Sequence, residues 1–210
     1  MPGKRNAEDK KARLIGAVGE LLTENGYQGL GVNKVAARAG VSKPMVYEYF
    51  GSLNGLLKAY IAQTDPWLPY FESLALPENP TMEELKDCFI KMLQDQFRYF
   101  HQEKEMQKLV HWQISETNAL MRSASLMRER EGLRLLALTE QHFKDSGVSL
   151  KAVLAFLVGG VYFNVLNDSA GAGTVAGIDL RNQRDFDQML ETIARIVGWA
   201  FESAANRNAF

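Results

Sequence analysis

The stretch that decides the fold reads VNKVAARAGVSKPMVYEYF over residues 32–50. Its first half places small apolar side chains on one side of a short helix that ends at Gly40. Ser42 then provides an N-cap for a second helix, and Pro44 suits the first helical turn, where its missing N–H costs nothing. The stretch therefore predicts two short helices joined by a tight glycine turn.

The residues that stand at the packing positions of this stretch have the types that a helix-turn-helix needs. Ala36 is placed where two helices cross closely, Gly40 makes the turn, and Val46 locks the second helix into a small core. Each residue alone is weak evidence, but the three together match the pattern. A preceding helix over residues 10–25, with an apolar stripe and a stop at Gly26, completes a three-helix unit.

Helical spacing dominates the rest of the chain, and no strand pattern is convincing. Thr81 and Glu84 have the capping-box arrangement that opens a long helix, and a kink is predicted near His101. The further predicted helices cover residues 52–64, 81–112, 120–144, 150–167 and 184–204, with a bend or short helix between residues 69 and 77. The sequence thus predicts an all-α fold with an N-terminal three-helix helix-turn-helix domain and a C-terminal helical bundle.

Charge is distributed unevenly along the chain, although the net charge is only -1. Residues 1–64 carry nine Lys or Arg against five Asp or Glu, a balance of +4, and the remainder balances at -5. Cationic groups supply most of the affinity for nucleic acid, so the N-terminal third suits phosphates. A solvated helix face is the alternative interpretation.

Three segments follow from these patterns. We expect a flexible basic arm over residues 1–7, a helix-turn-helix domain over residues 8–64 with its reader at about 31–50, and a helical dimerisation and effector domain over residues 65–210. The single cysteine, Cys88, cannot form an internal disulfide and is interpreted as a packing residue of a cytoplasmic protein. The apolar stretch 150–166 is predicted to be a buried helix, and no membrane partner is expected.

Four short motifs resemble the signature of the TetR/AcrR (tetracycline-repressor-like) family. They are Gly26-Tyr27, Val35-Ala36, AGVSK over residues 39–43 and YEYF over residues 47–50. The resemblance covers roughly residues 8–64, and the rest of the chain resembles the family only in length and helical architecture. It implies a one-component transcription regulator without a cofactor, whose helix over residues 42–50 enters the major groove of DNA.

The resemblance also implies roles for single residues. Lys43 would contact a phosphate or a guanine, Pro44 and Met45 would make apolar contacts with base edges, and Tyr47 would donate a hydrogen bond to a phosphate. Partly buried aromatic residues without a DNA role are the alternative for Tyr47 and Tyr49. The full predicted DNA-binding set is Lys34, Ser42, Lys43, Pro44, Met45, Tyr47, Glu48 and Tyr49.

Two positions depart from the family pattern. Leu30-Gly31 replaces a threonine that often touches phosphate, and Leu53 replaces a common phosphate-binding lysine. Three basic residues are candidates to compensate: Lys34, Lys4 and Arg5. Glu48 places a negative charge near the groove, where it could accept from cytosine N4 or repel phosphate. We expect moderate operator affinity that falls as the salt concentration rises.

The C-terminal bundle is larger than a three-helix reader needs, which favours a homodimer with a regulatory input. In the family the last two long helices of each subunit form the interface, and some of these residues could instead be core. The predicted interface residues are Phe156, Gly159, Gly160, Phe163, Ile193, Val197 and Phe201. The dimer would bind palindromic, double-stranded operator DNA at half-sites roughly 34 Å apart.

Aromatic side chains with a few polar groups predict a pocket for a small, partly apolar effector. Ordinary core packing is the alternative for each of them. The candidate effector residues are Phe97, Phe100, His111, Trp112, Met121, Tyr162 and Asn164. The effector would release the operator and thereby relieve repression, whereas a regulator controlled by a protein partner, or by nothing, would carry the same reader.

An enzymatic function is the remote alternative. Di-metal bundles need Glu-x-x-His pairs, which the sequence lacks. The spacing of His101, His111 and His142 with Cys88 does not indicate a metal site. The sequence also contains no nucleophile motif or phosphate-loop motif that would indicate catalysis.

Overall fold

The computed structural model describes residues 2–65, 67–74, 76–116 and 119–207, and it confirms the predicted all-α fold. Within the described residues the only strand-like pairing is an isolated antiparallel bridge between Val175 and Ile178. The helices are α1 Pro2–Asn25, α2 Val32–Ala39, α3 Lys43–Phe50, α4 Leu53–Thr64, α5 Trp67–Ser73, α6 Met82–Gln102, α7 Lys104–Ser115, α8 Ala119–Ala137, α9 Glu140–Phe143, α10 Leu150–Ser169 and α11 Gln183–Arg207, with a 3-10 turn at Tyr27–Gly29.

The beginnings and ends of several helices follow directly from their capping residues. The Thr81 hydroxyl accepts a hydrogen bond from the Glu84 N–H, and the Glu84 carboxylate accepts one from the Thr81 N–H, which completes the predicted capping box of α6. Gly40 ends α2 in the left-handed conformation, with φ 62° and ψ 37°. The predicted kink near His101 is a break at Glu103, between α6 and α7.

Two helix predictions differ from the structure. Residues 2–7, predicted to be a flexible arm, form the start of α1, because lysine, arginine, alanine and glutamate after Gly3 are good helix formers. The Met1 backbone and the Lys4 side chain lie outside the described part of the chain. The predicted helix 120–144 is split into α8 and α9 at Thr139, whose hydroxyl donates to the Leu136 carbonyl at 2.7 Å and closes a local turn.

The chain forms two compact units, and the division differs from the predicted boundary near residue 64. The first unit contains Met1–Leu68 together with Lys104–Met127. Its core includes the apolar side chains that the three-helix pattern predicts, with Leu14 and Val18 of α1, Val35 of α2 and Val46 of α3 all fully buried.

Glu105 and Trp112 of helix α7 contact other elements of this first unit. The Tyr60 hydroxyl of α4 donates to the Glu105 carboxylate at 2.8 Å, and a Cβ built on Gly19 of α1 would lie 2.8 Å from the same carboxylate. The Trp112 ring stacks on Tyr27 with centroids 5.5 Å apart. These contacts join residues far apart in sequence, so helical periodicity could not place α7 with the reader.

The second unit contains Pro69–Glu103 and Arg128–Phe210. In it α6 packs against α11 and α10, with Phe97 stacked on Phe186 at a centroid distance of 4.6 Å and the Gln94 side-chain amide donating to the Leu190 carbonyl at 2.9 Å. Cys88 is free and half-buried, as expected of a packing residue, and burial raises the pKa of its thiol.

Helix α10 is apolar on all sides. By length and composition it could cross a membrane, but the core helix of a soluble protein passes the same test. Four of its side chains are buried in the second unit, namely Leu150, Leu154, Val161 and Val165. Only 22% of its most apolar stretch is buried, so the prediction of a helix buried on most sides is wrong for the single chain. The remaining surface of α10 therefore requires its own explanation.

Candidate functional site

The outer face of α3 is polar and exposed, as predicted. Tyr47 leaves 48% of its surface accessible, whereas Val46 beside it is fully buried and anchors the helix to the core. Met45 and Tyr49 are half-buried at the edge of this face. The exposed members of the predicted DNA-binding set are Lys34, Ser42, Lys43, Pro44, Tyr47 and Glu48. We refer to these six residues, together with Met45 and Tyr49, as the reading face.

The turn between α2 and α3 is held by an arginine that the sequence analysis did not single out. The Arg13 guanidinium of α1 donates to the Ala39 carbonyl and, at 3.1 Å, to the Gly40 carbonyl, at the C-terminus of α2. A Cβ on Gly40 would lie 2.6 Å from Arg13 Nη2, and the positive φ of Gly40 also disfavours a side chain. Arg13 and Gly40 together determine how α3 leaves the turn.

Ser42 occupies the predicted N-cap position, but its hydroxyl makes no capping hydrogen bond. Pro44 near the helix start has no N–H to donate, and the Met45 N–H instead donates to the Ser42 carbonyl at 3.0 Å. The exposed Ser42 hydroxyl is thus not engaged by the backbone of α3, and it lies beside Lys43 at the positive end of the helix dipole.

A second arginine of the unit forms ion pairs with two glutamates of α1. Arg38 of α2 lies 2.7 Å from the Glu24 carboxylate and 3.1 Å from the Glu20 carboxylate, both on α1. The hydrogen bond from Arg38 lowers the pKa of the Glu24 carboxyl. Arg38 therefore ties α2 to α1, while Lys34 and Lys43 present their charges to solvent.

Comparison with known proteins identifies this unit. Residues 14–60 match the family model described as bacterial regulatory proteins, tetR family. This segment of the N-terminal unit is therefore similar to the DNA-binding domain of TetR-family regulators. The HTH-type transcriptional activator FasR of Mycolicibacterium smegmatis is 36% identical over 55 residues, which cover 26% of this chain and 24% of FasR. The matched stretch thus spans about a quarter of that curated relative.

Solved structures extend the likeness to the fold of most of the chain. FadR from Bacillus subtilis, solved in complex with stearoyl-CoA, has a TM-score of 0.60 and 14% identity over 89% of this chain and 96% of FadR. NalD, the secondary repressor of the MexAB-OprM efflux pump in Pseudomonas aeruginosa, has a TM-score of 0.58 and 22% identity over 90% and 96% of the two chains. The family and these neighbours are transcription regulators, not enzymes, which agrees with the non-enzymatic interpretation.

The residues predicted for the dimer interface divide into two groups. On α10, Phe156 is 83% exposed and Phe163 is 61% exposed, and nothing lies within 4 Å of a Cβ built on Gly159 or Gly160. On α11 the prediction needs correction. The three interface residues proposed there are buried within the second unit, where the Phe201 ring meets Phe89 and Phe143: Ile193, Val197 and Phe201.

The exposed aromatic of α11 is Trp199, which the sequence analysis missed. It is 60% exposed and lies among exposed polar residues, including Arg195 and Glu202. The sequence did contain a signal for Trp199, because it stands at a position of the amphipathic helix that is otherwise polar. The other apolar residues of α11 belong to the opposite, buried face.

The candidate effector residues lie in both units. His111, Trp112 and Met121 belong to the first unit, where His111 is exposed and the other two side chains are buried. The Trp112 Nε1–H has no hydrogen-bond partner among the described residues. In the second unit lie Phe97, Phe100, Tyr162 and Asn164.

Local contacts already engage most of the second group. Phe100 and Tyr162 meet at a centroid distance of 4.9 Å, and the Gln96 amide donates to the Tyr162 hydroxyl at 3.0 Å. The Asn164 amide donates to the Gly160 carbonyl one turn earlier in α10. Among the residues whose positions are described, no group of three His, Cys, Asp or Glu side chains could hold a metal ion.

Proposed function

We propose that this chain is a homodimeric repressor that binds palindromic operator DNA through α3 and is released by a small-molecule effector. The observation that carries the proposal is the reading face, an exposed polar surface with Lys43 and Tyr47 at its centre, on a domain of the TetR family. Phosphate contacts from this face would set affinity, and contacts with base edges would set sequence preference.

The exposed side of α10 supports a second copy of this chain as the partner. Ala152, Phe156, Gly159 and Phe163 recur at helical spacing and form one stripe, which we call the α10 stripe. It alternates small and large apolar residues, so two copies related by a two-fold axis can place the rings of one against the small residues of the other. A palindromic operator requires the same two-fold symmetry.

Two neighbours motivate the effector proposal. FadR was solved with stearoyl-CoA, and NalD is named a repressor, whereas FasR is named an activator. A long-chain acyl-CoA is the effector class that we propose first, since buried aromatic side chains such as Phe97 and Phe100 suit an acyl chain. The effector must bind the DNA-free conformation better than the DNA-bound one in order to act.

Selection of operator fragments tests the DNA-binding proposal. The purified full chain is incubated with a library of random duplexes, and the bound fragments are sequenced. We expect a palindromic motif whose half-sites lie roughly 34 Å apart, or one turn of DNA. Enrichment of no motif, or of an unpaired half-site alone, would overturn the homodimeric operator reader.

A thermal-shift and release experiment tests the effector. Stearoyl-CoA is compared with coenzyme A alone, and both are added to the free protein and to its complex with the selected operator. We expect stearoyl-CoA to raise the melting temperature of the free protein and to release the operator. A melting temperature and an operator affinity that both stay constant would reject this effector class and favour control by a protein partner.

A further inference from the structure

A lysine of α1 lies beside the reading face. Lys11 Nζ is 6.0 Å from the centroid of the Tyr49 ring, a cation–π contact between α1 and α3. The same ammonium lies 3.2 Å from the Glu8 carboxylate, one turn earlier in α1. Lys11 was not among the residues that the sequence analysis selected, because its relation to α3 depends on how α1 and α3 pack.

Two arginines near Lys11 in the sequence or in the same unit are already bound to other protein groups. Arg13 is committed to the carbonyls at the end of α2, and Arg38 is committed to Glu20 and Glu24. Both arginines therefore serve the fold, whereas several lysines of the unit are not engaged in this way. Among these, Lys11 is oriented by an aromatic ring of α3 and retains about a third of its side-chain exposure.

The pair with Glu8 does not remove Lys11 from this role. Glu8 keeps 64% of its side-chain exposure, and an exposed ion pair three residues apart on one helix is weak. An ammonium has three N–H donors and exchanges partners readily. A phosphate oxygen of DNA is also an anionic acceptor, and the release of condensed counterions favours its exchange for the Glu8 carboxylate while the Tyr49 ring keeps its place beside the ammonium.

We propose that Lys11 binds a DNA phosphate from α1 and that Tyr49 is its positioning residue, so that the DNA contact extends from α3 onto the first helix. The inference rests on the proposed operator binding. It adds a contact that does not read bases, and Lys11 therefore contributes to all duplexes alike, whereas the base-reading residues of α3 distinguish between them.

The salt dependence of binding tests the proposal. The full chain and the Lys11→Ala variant are titrated onto a fluorescent mixed-sequence duplex and onto the selected operator, at salt concentrations from about 50 to about 200 mM. One lost phosphate contact should reduce the magnitude of the slope of log K against log salt by about 1 on both duplexes. Between the two salt concentrations the affinity of the variant should therefore fall by a factor about fourfold smaller than that of the wild type. Lys144→Ala, which removes an exposed lysine from the second unit, is the matched control and should leave the slope unchanged.

A double-mutant cycle tests the role of Tyr49. Tyr49→Leu removes the ring, and we expect Lys11→Ala to cost less affinity in that background than in the wild type, since the lysine is no longer positioned. Equal costs in the two backgrounds would reject the positioning role of Tyr49. A slope for Lys11→Ala equal to that of the wild type would overturn the phosphate contact, whereas a wild type that binds neither duplex would reject the proposed function itself.

Discussion

Helices α3 and α10 both expose aromatic side chains, but in opposite chemical surroundings. Tyr47 of α3 is flanked by Lys43 and Glu48 and carries a hydroxyl, whereas Phe156 of α10 is flanked by Ala152 and Gly159 and carries no polar atom. An exposed polar aromatic among charges can hydrogen-bond a hydrated polyanion without losing its own solvation. An exposed phenylalanine among small residues gains only by removal from water.

This contrast teaches that the neighbours of an exposed ring, more than the ring itself, indicate its partner. Tyr47 is compatible with solvent until DNA arrives, so the reading face needs no permanent cover. The α10 stripe is the kind of surface that soluble proteins cover, and a second copy of the chain presents the same stripe. We therefore expect dimer formation to precede operator binding, and the variants below test the two surfaces separately.

The largest effect should come from a charge in the α10 stripe. Phe156→Glu should weaken the dimer at least about 30-fold, because a buried phenylalanine at an interface centre is worth about 2 kcal/mol or more and a carboxylate must also be desolvated. Sedimentation velocity over a range of concentrations measures this change. Leu138→Glu, at a residue 47% exposed outside the stripe, is the control; equal dissociation of both variants would reject the stripe as the interface.

The next effect concerns the reading face. Lys43→Ala and Tyr47→Phe should each weaken operator binding about tenfold while the dimer stays intact, since each removes one contact worth about 1–3 kcal/mol. Fluorescence anisotropy with the selected operator measures the affinity. Tyr99→Phe, in the second unit, should bind as the wild type does. Unchanged affinity in both test variants would remove Lys43 and Tyr47 from the site.

A smaller effect is expected at the turn that presents the reading face. Gly40→Ala should lower the free energy of unfolding by about 1–2 kcal/mol, because it forces a side chain into the left-handed region and against Arg13. Urea unfolding measures the loss. Gly132→Ala, within α8 and with nothing within 4 Å of its Cβ, should be neutral or stabilising. A Gly40→Ala variant as stable as the wild type would contradict this account of the turn.

The smallest effect concerns the ion pair that ties α2 to α1. Arg38 lowers the pKa of Glu24 below its ordinary value of 4.5, so the stabilisation is present above that pH and is lost as the pH falls through the lowered pKa. Arg38→Ala should slightly lower the free energy of unfolding at neutral pH and leave it closer to the wild-type value near pH 3. Urea unfolding at the two pH values decides this, and a difference that grows on acidification would contradict the pairing.

Sequence periodicity predicted the reader closely because its information is local. The bounds of α2, the turn at Gly40 and the burial of Val46 all follow from the spacing of small and apolar residues within about twenty positions. The Ser42 hydroxyl was the exception within this stretch. A capping hydrogen bond requires a backbone N–H of the first helical turn within reach of the hydroxyl, and Pro44 lacks one of these N–H groups.

The apolar faces of α10 and α11 show what helical periodicity cannot predict. Both helices carry phenylalanines and branched residues at helical spacing, and the pattern identifies a face without saying what covers it. In the structure α6 covers the face of α11, so Ile193, Val197 and Phe201 are core, whereas the α10 stripe remains outside the second unit. Trp199 becomes visible as a surface residue only once that covering is known.

The sequence by itself determined the helical elements, the helix-turn-helix and the residues that α3 presents, since hydrogen-bonding caps and side-chain spacing act over one or two turns of chain. Only the tertiary structure decided that Arg13 holds the turn, that Lys11 lies beside Tyr49 and that α7 packs with the reader through Glu105. Those relations join side chains that lie far apart in sequence, and they depend on helix packing that no local pattern specifies.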